Sequence, residues 1–211
     1  MQIAVIDYGM GNLRSVLRAM EHVAPDADIV LTSDAKVVAG ADKVVFPGQG
    51  AMRDCMAQVE QRGLRDAIVK AAYCKPFLGI CVGAQLLFEH SEEGDTAGLG
   101  IFAGKVVRFP SGQKNAAGDT LKVPHMGWNT VTLSPHPLWS GIESGQRFYF
   151  VHSYYMVPAD NALTIAEADY PFRFTAAVAR GNIFATQFHP EKSQADGLRL
   201  LKNFVQWDGT C

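Results

Sequence analysis

Cys81 sits in the run Gly79-Ile80-Cys81-Val82-Gly83, with apolar Phe77, Leu78 and Ile80 on the approach and helix-forming residues from Ala84 to Glu89 behind it. Glycines two before and two after one nucleophilic residue, between a strand and a helix, make a nucleophile elbow, here with cysteine where serine is usual. Such a turn is crowded, so a Cβ beside the nucleophile would meet neighbouring backbone. A helix that starts just after Cys81 would aim free N–H groups and its positive dipole end at the sulfur, favouring thiolate over thiol. On this stretch alone, a buried structural cysteine fits as well as a nucleophile.

Two other stretches offer what a thiol nucleophile needs. His189 and Glu191 stand two apart in a segment that Pro190 keeps extended, so their side chains leave on one side. A carboxylate so placed can hold the imidazole's tautomer and stabilise its cation while the other ring nitrogen faces the nucleophile. A capping loop before the last helix is the alternative for that tripeptide. Gly48 and Gly50 flank Gln49 at the end of the apolar run 43–46. Backbone N–H groups there can face an anion or oxyanion, and a plain Gly/Pro turn is the competing reading.

These groups must be positioned by alternating strands and helices. Aliphatic runs predict strands at 2–7, 28–32, 43–46 and 77–81. Leu13, Val16, Leu17 and Met20 carry a helical spacing, and 51–72 reads as helix with a break at Gly63. Gly9 and Gly11 imitate the start of a dinucleotide-binding fingerprint, but Arg14 stands where its third glycine belongs, so a tight strand-to-helix turn is the better reading. Beyond Gly94 the texture changes to shorter strands at 105–109, 129–133, 147–156, 162–168, 175–180 and 183–188, with a polar loop over 111–120. Pro124 to Asn129 reads as a loop whose Met126 and Trp128 suit either core packing or a partner surface. Ser193 and Asp196 predict the cap of a final helix. The expected fold class is α/β: a doubly wound, mostly parallel mixed sheet with helices on both faces and an antiparallel extension. Both Cys81 and Gly48–Gly50 fall at carboxyl ends of strands, where such sheets gather their sites.

Composition sets the limits. The 211 residues, 48% hydrophobic and 19% charged, suit one well-cored domain spanning 1–211. A net charge of −2 gives no reason to expect nucleic acid or an anionic membrane as partner. No apolar run reaches the ~20 residues needed to cross a bilayer, and the N-terminus reads as a strand rather than a signal peptide. Cys55, Cys74, Cys81 and Cys211 show no CxxC spacing, so free thiols in the reducing cytoplasm are expected. The six histidines form no HxxxH or HEXXH pair, and neither metal nor cofactor is expected.

GICVGAQ at 79–85 together with QFHPEKS at 187–193 resembles the triad class (class I) of glutamine amidotransferases, and PGQGAM at 47–52 resembles that class's oxyanion strand. PHMGWN at 124–129, FYFVHSYY at 148–155 and YGMGNLRSV at 8–16 are similar to the glutaminases that serve a separate (β/α)8-barrel cyclase in histidine biosynthesis. The resemblance covers the whole chain and implies a flavodoxin-like arrangement. It implies Cys81, His189 and Glu191 as the catalytic triad and backbone N–H groups at Gly48, Gln49, Gly50 and Val82 as oxyanion donors. Gly50, Gln85, Glu93, Ser153 and Tyr154 would hold glutamine's amino and carboxylate groups, and Tyr8, Gly9, Asn12, Met126, Trp128 and Lys192 would meet the cyclase. One position departs from the family, which usually has a small aliphatic residue where Gln49 stands; backbone donors survive such a change, so retained activity with altered regulation is expected. Rival readings are a glutaminase of the same class serving anthranilate, aminodeoxychorismate or pyridoxal phosphate synthesis, a cysteine hydrolase on a related fold, and a non-catalytic descendant.

Overall fold

A computed structural model describes residues 1–114 and 118–210. The centre of the predicted polar loop and the expected free thiol of Cys211 lie outside the described residues. The chain opens as alternating units: β1 (Gln2–Ile6), α1 (Leu13–Val23), β2 (Asp28–Thr32), α2 (Ala35–Gly40), β3 (Lys43–Gly48), α3 (Met52–Gln61), α4 (Arg65–Cys74), β4 (Phe77–Cys81) and a short α5 (Val82–Gln85). It continues through β5 (Phe88–Ser91), β6 (Thr96–Ala97), β7 (Phe102–Arg108), β8 (His125–Thr130), β9 (Thr132–Leu133), β10 (Arg147–His152), β11 (Tyr154–Pro158), β12 (Thr164–Asp169), β13 (Arg173–Arg180), β14 (Ile183–Thr186) and α6 (Gln194–Gln206).

Five strands in the order β2-β1-β3-β4-β14 run parallel. Ile3 to Ile6 and Val44 to Phe46 are fully buried, as expected of parallel strands covered on both faces. The same sheet continues through β13, β11, β7, β5 and β6, with antiparallel pairing at β13–β14, β11–β13 and β7–β11. Helices α1 and α6 pack together, as do α2 and α4. Among the described residues, no helix is long and apolar enough to cross a membrane.

Four expectations fail for physical reasons. The helix after Cys81 stops at Gln85, because the carbonyls of Leu86, Leu87 and Phe88 accept hydrogen bonds from the 99–102 segment (Leu99, Ile101 and Phe102, Gly100). Tertiary pairing overrides the helix propensity of Leu86 to Glu89. The strand predicted over 147–156 breaks at Ser153: β10 pairs with β8 in a separate two-stranded sheet, whereas β11 joins the main sheet beside β7. Pro124 to Asn129 is accordingly mostly strand, not loop. Ser193 does not cap α6 with its side chain; its hydroxyl donates to the His189 carbonyl at 2.6 Å and accepts from Tyr149 N–H at 3.0 Å.

Candidate active site

Cys81 ends β4 with φ 55° and ψ −114°, a left-handed conformation that a non-glycine residue adopts only under constraint. Its constraint is β3. Gly48 is paired in register with Cys81, and a Cβ on Gly48 would lie 2.5 Å from Gly83 N and 2.7 Å from the Tyr8 hydroxyl. Cys81 is 3% exposed, and Gln187 Nε2 donates to its sulfur at 3.9 Å. As the first residue of α5, Val82 has an N–H with no intrahelical acceptor.

His189 follows β14 and is buried. Its Nδ1 lies 2.8 Å from Glu191 Oε1, and since an ionised carboxylate only accepts, Nδ1 carries the proton. Nε2 is thereby freed for the sulfur; it is buried and, among the described residues, has no partner competing with Cys81. Burial works against the imidazolium, but the charge and hydrogen bonding of Cys81, followed by those of Glu191, outweigh it and push the His189 pKa up to about 10. The backbone is held as firmly: His189 N–H donates to the Tyr149 carbonyl at 2.9 Å, and the Ser193 hydroxyl donates to the His189 carbonyl. Pro190–Lys192 forms a single 3₁₀ turn rather than an extended segment, and that turn brings Glu191 back onto the ring.

A cavity of about 300 Å³ opens over Cys81, and its lining includes Gln49, Gly50, Val82, Gln85, Glu93, Ser153 and Tyr154. The structure thus gathers the five residues expected to hold glutamine beside the nucleophile. Gln85 donates both amide protons, to the Tyr154 carbonyl and to Gln187 Oε1, each at 3.0 Å, which leaves its own carbonyl oxygen to accept from a ligand. Glu93 Oε2 accepts from Met52 N–H at 2.7 Å, pinning the carboxylate at the start of α3. Two fixed acceptors suit an ammonium group. A larger cavity of about 560 Å³, lined by Tyr155, Glu167 and Arg173 among others, holds none of these groups.

Of the expected partner contacts, Gly9, Asn12, Met126 and Trp128 are exposed and Lys192 is half-buried. Tyr8 is a correction: its side chain is fully buried and its hydroxyl donates to the Pro47 carbonyl at 2.9 Å, so it supports the segment before Gly48 from below and is not open to a partner.

Sequence reasoning missed Gln187, whose only signal is a polar residue ending an apolar strand. It also missed a buried chain behind the cavity. The Tyr154 carbonyl accepts from His152 Nδ1 at 2.8 Å, His152 Nε2 accepts from His125 Nδ1 at 2.9 Å, and His125 Nε2 accepts from Asn129 Nδ2 at 3.3 Å. This direction of donation requires both rings to be neutral. Burial lowers the His125 pKa to about 4; burial, together with His125, lowers that of His152 to about 3. Among the described residues, no group of three or more His, Cys, Asp or Glu side chains could hold a metal ion.

A thiol on a strained elbow beside an oriented imidazole, at the carboxyl end of a parallel α/β sheet, has the core parts of a thiol acyl-transfer site. The glutamine amidotransferase class-I family model matches residues 4–207, and the chain belongs to that family of glutamine-hydrolysing enzymes. Imidazole glycerol phosphate synthase subunit HisH of Chromobacterium violaceum is 64% identical over 211 residues, covering 99% of each chain. The protein of the same name from Aromatoleum aromaticum is 63% identical over 207 residues, covering 97% of this chain and 98% of the relative. Among solved structures, a putative GMP synthase protein from Thermoplasma acidophilum aligns with TM-score 0.71 at 22% identity, covering 98% of this chain and 92% of that one. A crystal structure of a glutamine amidotransferase aligns with the same TM-score at 18% identity, covering 97% of both. These two likenesses speak to the fold.

Proposed function

We propose that the chain is the glutaminase component of an imidazole glycerol phosphate synthase, releasing ammonia from L-glutamine for a separate (β/α)8-barrel cyclase in cytoplasmic histidine biosynthesis. The observation that carries the chemistry is the buried Cys81, His189 and Glu191 set beside a cavity with two fixed acceptors. The near full-length likeness to HisH proteins supports the choice of pathway and partner.

The Cys81 thiolate attacks the side-chain amide carbon of glutamine, and Gln85 and Glu93 hold the substrate's ammonium group. Charge develops on the amide oxygen, where the N–H groups of Val82 and of the Gly48–Gly50 segment stabilise it; one such donor is worth about 2.7–4 kcal/mol of barrier. His189, held as the imidazolium, passes its proton to the leaving nitrogen and ammonia departs, leaving a thioester on Cys81. Neutral His189 then takes a proton from water, the hydroxide cleaves the thioester, and glutamate leaves while the thiolate–imidazolium pair is restored. Free ammonia would be protonated and diluted, which is the reason for docking on an acceptor. The exposed Trp128 and Met126 offer the surface.

The test is glutaminase and synthase activity with and without the cyclase and its substrate. Cys81→Ala is expected to abolish glutamine-dependent synthesis and to leave ammonia-dependent synthesis intact. Loss of both, or copurification with an anthranilate or pyridoxal phosphate synthase instead, refutes the assignment.

A further inference from the structure

Gln187 is fully buried, and the proposed reaction leaves it without a role. It follows β14 directly, and its N–H donates to the Ala176 carbonyl at 2.8 Å. The pairing of Thr186 with Ile80 sets it beside Cys81, two residues ahead of His189. Its side chain ends a series of amides whose direction is fixed at the far end. The Tyr154 carbonyl can only accept, so the Gln85 atom 3.0 Å from it is Nε2. The same nitrogen lies 3.0 Å from Gln187, which must therefore present its oxygen, Oε1. Gln187 Nε2 is then the atom left to face the Cys81 sulfur, at 3.9 Å. Turning either amide over would set two donors or two acceptors against each other.

We propose that Gln187 is a positioning residue for the ammonium acceptor: together with the Tyr154 carbonyl it holds the Gln85 amide so that its oxygen meets the α-ammonium group of the substrate beside Cys81. One hydrogen bond leaves an amide free to swing about it, whereas two from the same nitrogen fix its plane. The anchor is itself anchored, because the Tyr154 carbonyl also accepts from His152 Nδ1 at 2.8 Å. Gln85 lines the cavity and Gln187 does not, so Gln187 acts on the substrate only through Gln85. Glu93, pinned from α3, supplies negative charge to the same ammonium group. A neutral amide oxygen accepts well only near its lone-pair directions, so of the two acceptors Gln85 is the one whose orientation matters most. Both amides are buried, at 3% and 0% exposed, so a bond lost between them leaves a buried donor unpaired.

The inference rests on the proposed glutaminase reading, in which Gln85 holds the ammonium group, and its test separates the two. KM and kcat for L-glutamine are measured on the chain bound to its cyclase, for wild type, Gln187→Leu and Gln187→Glu. Glutaramate, which is glutamine without the α-ammonium group, is measured alongside as a competitive inhibitor. Gln187→Leu removes the oxygen to which Gln85 donates. It is expected to raise KM for glutamine about 10-fold, with a smaller change in kcat and the glutaramate inhibition constant within about twofold of wild type. Gln187→Glu keeps an oxygen that accepts from Gln85, whether the carboxyl is ionised or protonated, and is expected to hold KM within about threefold of wild type. Unchanged KM in Gln187→Leu overturns the proposal. So does equal weakening of glutamine and glutaramate, which marks a deformed pocket, or a Gln187→Glu variant that raises KM as leucine does. Wild-type complex without glutaminase activity would instead refute the reading on which the proposal rests.

Discussion

A Cβ built on Gly83 would lie 1.9 Å from the carbonyl oxygen of Phe46. Gly83 lies in the buried α5 and the atom it would meet is backbone of the fully buried β3, so neither side can give way. Gly83→Ala is therefore expected to cost at least about 1–3 kcal/mol by urea unfolding and to remove glutaminase activity by forcing the elbow off β3. Gly40, the last residue of α2, would have nothing within 4 Å of an added Cβ. Gly40→Ala should instead stabilise by about 0.4–1 kcal/mol with activity unchanged. Equal effects at the two positions would refute the close-approach argument.

His189 ties stability and rate to pH. Its imidazole titrates near 6.5 in the unfolded chain, and in the folded chain its pKa is raised to about 10. Folding therefore favours the imidazolium: that contribution is complete below about pH 6.5 and is lost as pH rises through about 10. Glu191→Gln removes one of the groups that raise the pKa and frees the ring to choose the wrong tautomer. The variant should lose stability at lower alkaline pH than wild type and lose about 10²–10⁴-fold in kcat. Urea unfolding and glutaminase rates between pH 7 and 10.5 measure both; an unshifted alkaline limb would contradict the assignment.

The triad was legible because its signals are local. Glycine spacing around Cys81, the Gly48–Gly50 pair at a strand end and the His189–Glu191 interval are each carried by a few adjacent residues, and a parallel sheet brings strand ends to one edge. Tyr8 misled because its depth is set by β3 packing over it, which no feature of YGMGN records. His125 and His152 sit in aromatic-rich runs 27 residues apart, and only the β8–β10 register makes them partners. Ser193 carries a capping pattern, yet the backbone of Tyr149 and His189 competes for its hydroxyl and wins. What depends on long-range pairing was hidden, and the residues that support the triad and the cavity from behind depend on it throughout.

The neutral histidine pair makes an acid-side prediction of opposite sign. His125 and His152 fold with pKa values of about 4 and 3, below the 6.5 of the unfolded chain. Their contribution to stability is complete above about pH 6.5 and is lost as pH falls toward those lower values. His152→Ala leaves the Tyr154 carbonyl and His125 Nδ1–H short of partners, a cost of about 1–3 kcal/mol at pH 7. Its stability should then fall less steeply than wild type between pH 6.5 and 4.5, with one buried base removed. KM for glutamine should rise, because Tyr154 O also anchors Gln85. A variant as acid-sensitive as wild type would show that the pair does not titrate on unfolding.

Trp128 and Met126 stand two apart on β8, on one face, at 37% and 62% exposed. Trp128 meets Tyr149 edge-on at 6.1 Å, and Lys192 Nζ lies 5.9 Å from the centre of that same Tyr149 ring. The Tyr149 carbonyl accepts from His189 N–H, so this exposed aromatic patch is one residue removed from the base of the triad. A rigid, half-exposed indole beside an aromatic and a cation is the type of group that dominates interface energetics. Trp128→Ala is expected to weaken cyclase binding by about 2 kcal/mol, about 30-fold in Kd, by titration calorimetry. Met126→Ala, which removes a flexible side chain at the patch edge, should cost less. Because Trp128 packs on Tyr149, whose carbonyl holds the His189 N–H, its loss should also lower the stimulation of glutaminase by saturating cyclase while leaving the unstimulated rate near wild type. Unchanged affinity in Trp128→Ala would place the docking surface elsewhere on the sheet edge.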